Sequence, residues 1–382
     1  MIDSVLIQPN SEQFTIRDVK RFDASSAHGS TGYRVGTLYS STYQKNWKKR
    51  GVYCPLFTLA SRRGGNKEPV KTLDIQFSLP KIIYGTNAYE VDTYEMDRII
   101  KNLLFFANGL GINITASELE RSVVRRIDFS KIIALPPYLG MADKTVIGLS
   151  RFDYKPESGF QYQGYESGRN GAKVKFHNST QGFVLYDKIG EVINNGYTKQ
   201  ENYLIEKFNK DQVKRNLIKL ELSLQRKDSM EALLRNYICG KKKDFNLREI
   251  ISEKQAVKKI LISAFDKVYS STHMGLITLS EMEENRLLDH LYSSNLSHHQ
   301  IEKLFFWVRM ATNFGIGGTW GRLKESYSGG NVSINKNKIS EALTELGPMQ
   351  GNTPNLLEFM RNELEKFEII KPADDNFFVN YC

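Results

Sequence analysis

From Ile218 to Gln225 apolar and polar side chains alternate without a break: Ile218, Leu220, Leu222 and Leu224 against Lys219, Glu221 and Ser223. A period of two belongs to a strand with one buried and one open face; a helix would scatter these residues around its axis. The pattern recurs in Leu73–Phe77, where Asp74 and Gln76 oppose Leu73, Ile75 and Phe77. It appears again in Val124–Phe129, where Arg126 and Asp128 oppose Ile127 and Phe129. If the three strands share a sheet, Asp74, Asp128 and Glu221 collect on its polar side.

The rest of the chain is read around these strands. Short extended pieces at 4–7 and 51–59 are separated by Ser/Gly-rich turns at 25–32 and 61–66. Met96, Ile99, Ile100, Leu103 and Leu104 have helical spacing, with Asp92 or Thr93 as N-cap. Val174–Phe176 and Gly182–Tyr186 read as a hairpin turning at Asn178-Ser179-Thr180, followed by a helix over 187–194. The Gly-rich, aromatic stretch 158–172 reads as an exposed loop or hairpin. Beyond about 240 helical patterns dominate at 246–270, 280–293, 297–313, 336–346 and 354–366, with the Gly-rich stretch 314–330 interrupting them. The expected class is α+β: an antiparallel sheet with helices on one face, followed by a mostly helical C-terminal domain. Three parts are expected: a basic, β-rich segment 1–70 that belongs with the sheet, a chemical domain 71–240, and the helical part 241–382.

Composition narrows the function. No apolar run is long enough to span a bilayer, and the first fifteen residues carry Asp3, Gln8, Asn10 and Glu12, unlike a signal peptide. Cys54, Cys239 and Cys382 are widely separated, so neither a disulfide framework nor a Cys-type zinc site is expected, and a reducing cytosol is the natural setting. Net charge is +10, and residues 1–70 hold eleven Lys/Arg against five Asp/Glu. Basic clusters stand at Lys45/Lys48/Lys49/Arg50, Arg62/Arg63, Arg121/Arg125/Arg126 and Lys241/Lys242/Lys243. Nineteen Tyr and twenty-one Phe accompany them, a mixture suited to phosphates and unstacked bases. No Gly-x-x-x-x-Gly-Lys-Ser/Thr phosphate loop, Gly-x-Ser-x-Gly elbow or His-x-His pair is present.

The chemistry these residues suggest is strand transfer. Tyr186, ending its strand, is the candidate nucleophile, with Lys188 beside it. Asp74, Asp128 and Glu221 are hard oxygen ligands suited to Mg²⁺ or Mn²⁺. A phenol attacks poorly until a cation stabilises its phenolate, so Lys188, Lys175 and Arg126 are candidates for that task or for holding phosphate. Lys48, Lys49, Arg50 and Lys219 complete the expected DNA contacts.

Five blocks resemble the filamentous-phage gene II/X replication proteins. Ser78-Leu79-Pro80-Lys81-Ile82-Ile83-Tyr84-Gly85-Thr86-Asn87 is similar to their Ser-Pro-x-Lys…Gly-x-Asn block, and Leu103–Asn108 to the helix after it. Arg126-Ile127-Asp128 resembles their Arg-Ile-Asp strand. Leu185-Tyr186-Asp187-Lys188-Ile189-Gly190-Glu191 is similar to the segment bearing the nicking tyrosine. Lys219–Leu224 resembles the Arg-Phe-Glu-x-Arg strand, although Lys219 and Ser223 stand where that pattern has arginines.

The blocks run in the family's order over 72–235. The resemblance implies a rolling-circle initiator that nicks origin DNA, single-stranded or supercoiled, and bonds Tyr186 to the 5′ phosphate. It implies that the 3′ hydroxyl primes host polymerase with a host helicase, that the displaced strand is rejoined, and that the protein works alone or as a homodimer. Alternatives are a mobilisation relaxase with the same chemistry and a non-catalytic origin-binding protein.

Overall fold

The computed structural model describes residues 1–24, 34–63, 69–139, 141–149, 161–166, 172–211, 216–238, 244–269, 284–326, 334–335, 338–339, 341–342, 352–372 and 379. Its strands are β1 (Ile2–Gln8), β2 (Thr15–Ile16), β3 (Asp23–Ala24), β4 (Arg34–Tyr39), β5 (Leu56–Arg63) and β6 (Pro69–Ser78). They continue with β7 (Ile112–Asn113), β8 (Val123–Ala134), β9 (Gln161–Glu166), β10 (Lys173–His177), β11 (Gln181–Asp187) and β12 (Leu217–Leu224). Ten of them form one sheet in the order β3-β4-β5-β6-β1-β8-β12-β11-β10-β9, while β2 and β7 pair separately. Every described pairing is antiparallel.

Two runs of consecutive strands, β3–β6 and β9–β12, flank a central pair, β1 and β8, that comes from distant parts of the chain. Segment 1–70 therefore supplies the middle of the sheet as well as one edge.

The alternation expected from sequence holds. Ile7, Ile75, Phe77, Ile127, Phe129, Ile218, Leu220, Leu222, Phe183 and Leu185 are fully buried on one side. Helices cover that side: Tyr269, ending the helix Lys254–Tyr269, stands edge-on to Phe176 and Phe183 with ring centroids 6.2 Å from each. The apolar cluster runs without interruption from Ile2 through Ile260 and Leu304 to Met360, so the division expected near 240 crosses one continuous core. Such a core gains roughly 25 cal/mol for each Å² of apolar surface removed from water.

A second, small cluster lies on the opposite side. Ile132, Ile189 and Leu217 pack with Phe208, which seats the helices Lys188–Asn195 and Lys199–Asp211 over one end of the polar face. Helices thus occupy the main apolar face and a corner of the other.

Local chemistry sets the element ends. Asn178 Oδ1 accepts from the backbone N–H groups of Thr180 (2.9 Å) and Gln181 (2.7 Å), closing the expected hairpin turn. Asp92 and Glu95 form a reciprocal capping box before the helix Met96–Gly109. Asp187 caps the next helix by accepting from Ile189 N–H at 3.1 Å.

One expectation is corrected. Residues 314–326 do not break the helical run, because the helix His298–Ser326 passes through Gly315, Gly317, Gly318 and Gly321. An interior glycine costs about 1 kcal/mol relative to alanine. A helix anchored by buried Ile301, Leu304, Trp307 and Val308 tolerates that. Residues 158–160, 167–171 and Lys241, Lys242 and Lys243 lie outside the described residues. No described helix is long and apolar enough to cross a membrane.

Candidate active site

Strand register assembles the site. Tyr186 on β11 pairs with Lys219 on β12, Glu221 pairs with Ser130 on β8, and Asp128 pairs with both Ser223 and Ser4. All these residues therefore point to the polar face. Between Ile2 and Ser4 the β1–β8 register slips, leaving Asp3 as the extra residue of a bulge. A bulge re-aims a side chain, and Asp3 accordingly reaches the same face, where its Oδ1 accepts from Lys219 Nζ at 2.5 Å.

Tyr186 donates its hydroxyl to Glu221 Oε1 at 2.6 Å. Lys219 Nζ lies 3.2 Å from that same oxygen, so one ammonium serves Glu221 and Asp3 together. Lys219 is 1 % exposed. Burial alone would lower its affinity for a proton, yet the charges of Asp3 and Glu221 leave it raised above the ordinary lysine value. Burial raises the Glu221 carboxyl, Lys219 opposes the rise, and Asp3 adds to it. Tyr186 is held well above the usual phenol value, first by burial and then by the negative charges of Glu221, Asp3 and Glu191. Its hydroxyl is thus protonated at neutral pH and already aimed at a carboxylate of enhanced basicity.

Two more cations flank the ring. Lys188 Nζ lies 5.8 Å and Lys173 Nζ 5.9 Å from its centroid. Lys188 is fully buried, donates to Asn87 Oδ1 at 2.7 Å and pairs with Glu191. Burial pulls Lys188 down to about 8 while Glu191 opposes the fall. The Asn87 loop, Asp3 and Glu191 thus surround Tyr186, the candidate nucleophile.

Asp128 sits in a separate corner. Ser4 Oγ donates to its Oδ2, and Arg126 Nη2 is 3.4 Å from the same oxygen. Asp128 Oδ1 and Arg126 Nε are buried and without a hydrogen-bond partner. Asp74 does not join this group. It accepts from Gln8 Nε2 at 2.6 Å, and Gln8 in turn accepts from Arg125 at 2.6 and 2.9 Å. Its strand β6 is three positions from β12, about 14 Å at the usual strand spacing. Among the described residues no set of three or more His, Cys, Asp or Glu side chains is close enough to hold a metal.

The donor set that does form is smaller than expected from sequence. Asp128 and Glu221 lie on adjacent strands at diagonal positions, and Asp128 keeps an unpaired buried oxygen. One or two carboxylates plus a phosphate oxygen suit Mg²⁺ or Mn²⁺, so this pair fits such an ion without Asp74.

Of the other expected contacts, Lys175 lies on β10 opposite Val184, on the same face as Tyr186. Lys48, Lys49 and Arg50 end the helix Ser41–Lys49 and are exposed.

Asp3 and Lys173 escaped the sequence reading for different reasons. A register slip leaves no mark in residue order, whereas Lys173 could have been found from its place directly across the hairpin from Tyr186. Comparison with known protein families, characterised proteins and solved structures gives no match.

Proposed function

We propose that this protein cuts and rejoins one DNA strand through Tyr186, as a rolling-circle replication initiator does. The observation that carries the reading is the buried Tyr186 hydroxyl, hydrogen-bonded at 2.6 Å to a carboxylate and surrounded by three lysines. A tyrosine placed for packing alone has no use for Glu221, Lys219, Lys188 and Lys173 around one ring.

In the forward step the Tyr186 oxygen bonds to the scissile phosphorus as the P–O3′ bond breaks, and the departing 3′ oxygen takes up a proton from water. The phenolic proton passes to Glu221, whose raised proton affinity suits it as a general base. Lys219 fixes the carboxylate orientation, and the Lys188 and Lys173 ammoniums offset the charge that develops near the ring. Lys188, titrating near 8, is protonated at neutral pH and supplies positive charge there. A divalent ion held by Asp128 and Glu221 would polarise a non-bridging phosphate oxygen. Rejoining reverses the step: the 3′ hydroxyl gives its proton to water as its oxygen bonds to phosphorus, the P–O bond to Tyr186 breaks, and Tyr186 recovers its proton from Glu221. Host polymerase and helicase are the partners this reading requires.

The test is a nicking reaction on supercoiled plasmid carrying this gene and its flanking DNA, with Mg²⁺ or Mn²⁺, followed by peptide mass mapping. A nicked circle with a nucleotide adduct on Tyr186 is expected. An adduct on Tyr197 or Tyr203 would move the nucleophile, and bound but uncut plasmid at every ion concentration would favour a passive origin binder.

A further inference from the structure

The helix Ser41–Lys49 and its cap carry Lys45, Lys48, Lys49 and Arg50, with no acidic residue in the segment. All four cations are exposed, and none has an ion-pair partner among the described residues. Four like charges on one short helix repel each other, so the arrangement favours an anion being brought to them.

The patch is built in place rather than loosely displayed. Trp47 anchors the inner side of the helix, its ring centroid 5.5 Å from that of buried Phe106 and 5.8 Å from that of Phe105. Gly51 follows with φ of +69°, a left-handed conformation that turns the chain sharply. Its carbonyl then accepts from Lys199 N–H at 2.8 Å, fastening the end of the basic helix to the start of the helix Lys199–Asp211.

Tyr197 lies at that junction. Lys48 Nζ is 4.7 Å and Lys81 Nζ 5.3 Å from its ring centroid, while Arg50 stands 5.3 Å from the Trp47 ring. These contacts hold long side chains that would otherwise lose rotamer freedom on meeting a ligand.

The position relative to Tyr186 gives the patch a direction. One eight-residue helix, Lys188–Asn195, separates Tyr186 from Tyr197, about 12 Å at 1.5 Å per residue. Lys81 bridges the two places, since its charge acts on both Lys188 and Glu191 beside Tyr186. A strand attached at Tyr186 and leaving along this helix would pass Lys81, whose ammonium is already paired with Glu201 at 2.9 Å, and reach Lys48 and Arg50.

We propose that the Lys48/Lys49/Arg50 face, positioned by Tyr197 and Trp47, is the landing surface for the single-stranded flank of the cut strand. Its purpose rests on the nicking reading, but its binding does not. The surface meets the sugar–phosphate backbone through its charges, with the exposed amide of Asn46 on the same helix.

The experiment uses the full chain with Tyr186→Phe, so that cleavage plays no part, and a fluorescent oligothymidylate of about a dozen nucleotides, within the range such surfaces cover. Adding K48Q, K49Q and R50Q together should weaken binding about tenfold or more and reduce the salt slope by about 2, given roughly 0.7 per phosphate on single strands. Lys259→Gln with Lys267→Gln, exposed cations on a remote helix, should change neither quantity.

Unchanged affinity and slope in the triple variant would overturn the proposal. Equal losses on a hairpin duplex of the same length would overturn it in favour of a duplex clamp. Photocrosslinking of an iodouridine-bearing strand should mark the peptides holding Trp47 or Tyr197; marking confined to the C-terminal helices would also overturn it. A missing Tyr186 adduct in the nicking assay would remove the cutting reaction and leave this binding result standing.

Discussion

The polar face of the sheet has two acidic corners that differ in how completely they are satisfied. Around Tyr186, every buried charge has a partner: Lys219 with Asp3 and Glu221, Lys188 with Glu191 and Asn87. Around Asp128, two strands away, a carboxylate oxygen and an arginine Nε are buried with nothing to bond. The first corner is complete as it stands and holds the Tyr186 ring and hydroxyl in one orientation. The second carries an unmet demand, which is what a region awaiting an ion or a phosphate looks like. Organisation and readiness to bind are thus divided between neighbouring strands.

The sharpest way to break this contrast is Lys219→Met. It leaves Asp3 and Glu221 buried without their shared cation, and removing one member of a buried ionic group costs about 3–5 kcal/mol. Denaturant midpoints should fall accordingly; a shift below about 1 kcal/mol would show that the corner is not a cooperative unit.

Next in size is a pH effect at Lys188. The unfolded chain keeps this proton up to the ordinary 10.5, whereas the fold releases it at about 8. Between those values the unfolded state binds more protons, so stability rises with pH. Below 8 the cost of the buried ammonium is present in full. Lys188→Met should remove that slope between pH 8 and 10, as read from denaturation curves, and an identical slope in both proteins would place the proton elsewhere.

Tyr186→Phe should be milder for the fold, about 1 kcal/mol for one lost hydrogen bond with Lys219 still facing Glu221. Nicking should vanish while origin binding persists; residual nicking would reassign the nucleophile. Smallest of all should be Asp128→Asn. The Ser4 contact survives, and the oxygen replaced had no partner, so stability should move by less than about 1 kcal/mol. The concentration of Mg²⁺ needed for cutting should rise steeply, and an unchanged titration would remove Asp128 from the ion site.

The sequence carried more of the fold than of the site. Period-two patterning placed Tyr186, Lys219, Glu221 and Asp128 on one face because register preserves alternation across strands. It could not place Asp74, since strand order is set by long-range pairing and β1 and β8 come between β6 and β12. It read Lys219 as a DNA contact because lysine is rarely buried without a partner. Its partner Asp3 reaches it through a bulge and lies 216 residues away in sequence. Glycine counting likewise overestimated the break after Phe314, where tertiary anchoring outweighs propensity.

The central seam has a consequence for assembly. The runs β3–β6 and β9–β12 are each built from strands consecutive in sequence, with two helices inserted between β11 and β12. Joining them requires β1 to find β6 and β8, and β8 to find β12, over loops whose closure slows folding. Asp3, Ser4 and Asp128 lie on those late strands, β1 and β8. A chain that has formed only its two strand stacks therefore holds Tyr186, Lys219 and Glu221 together but lacks Asp3 and Asp128, so the Lys219 ammonium has one carboxylate partner instead of two.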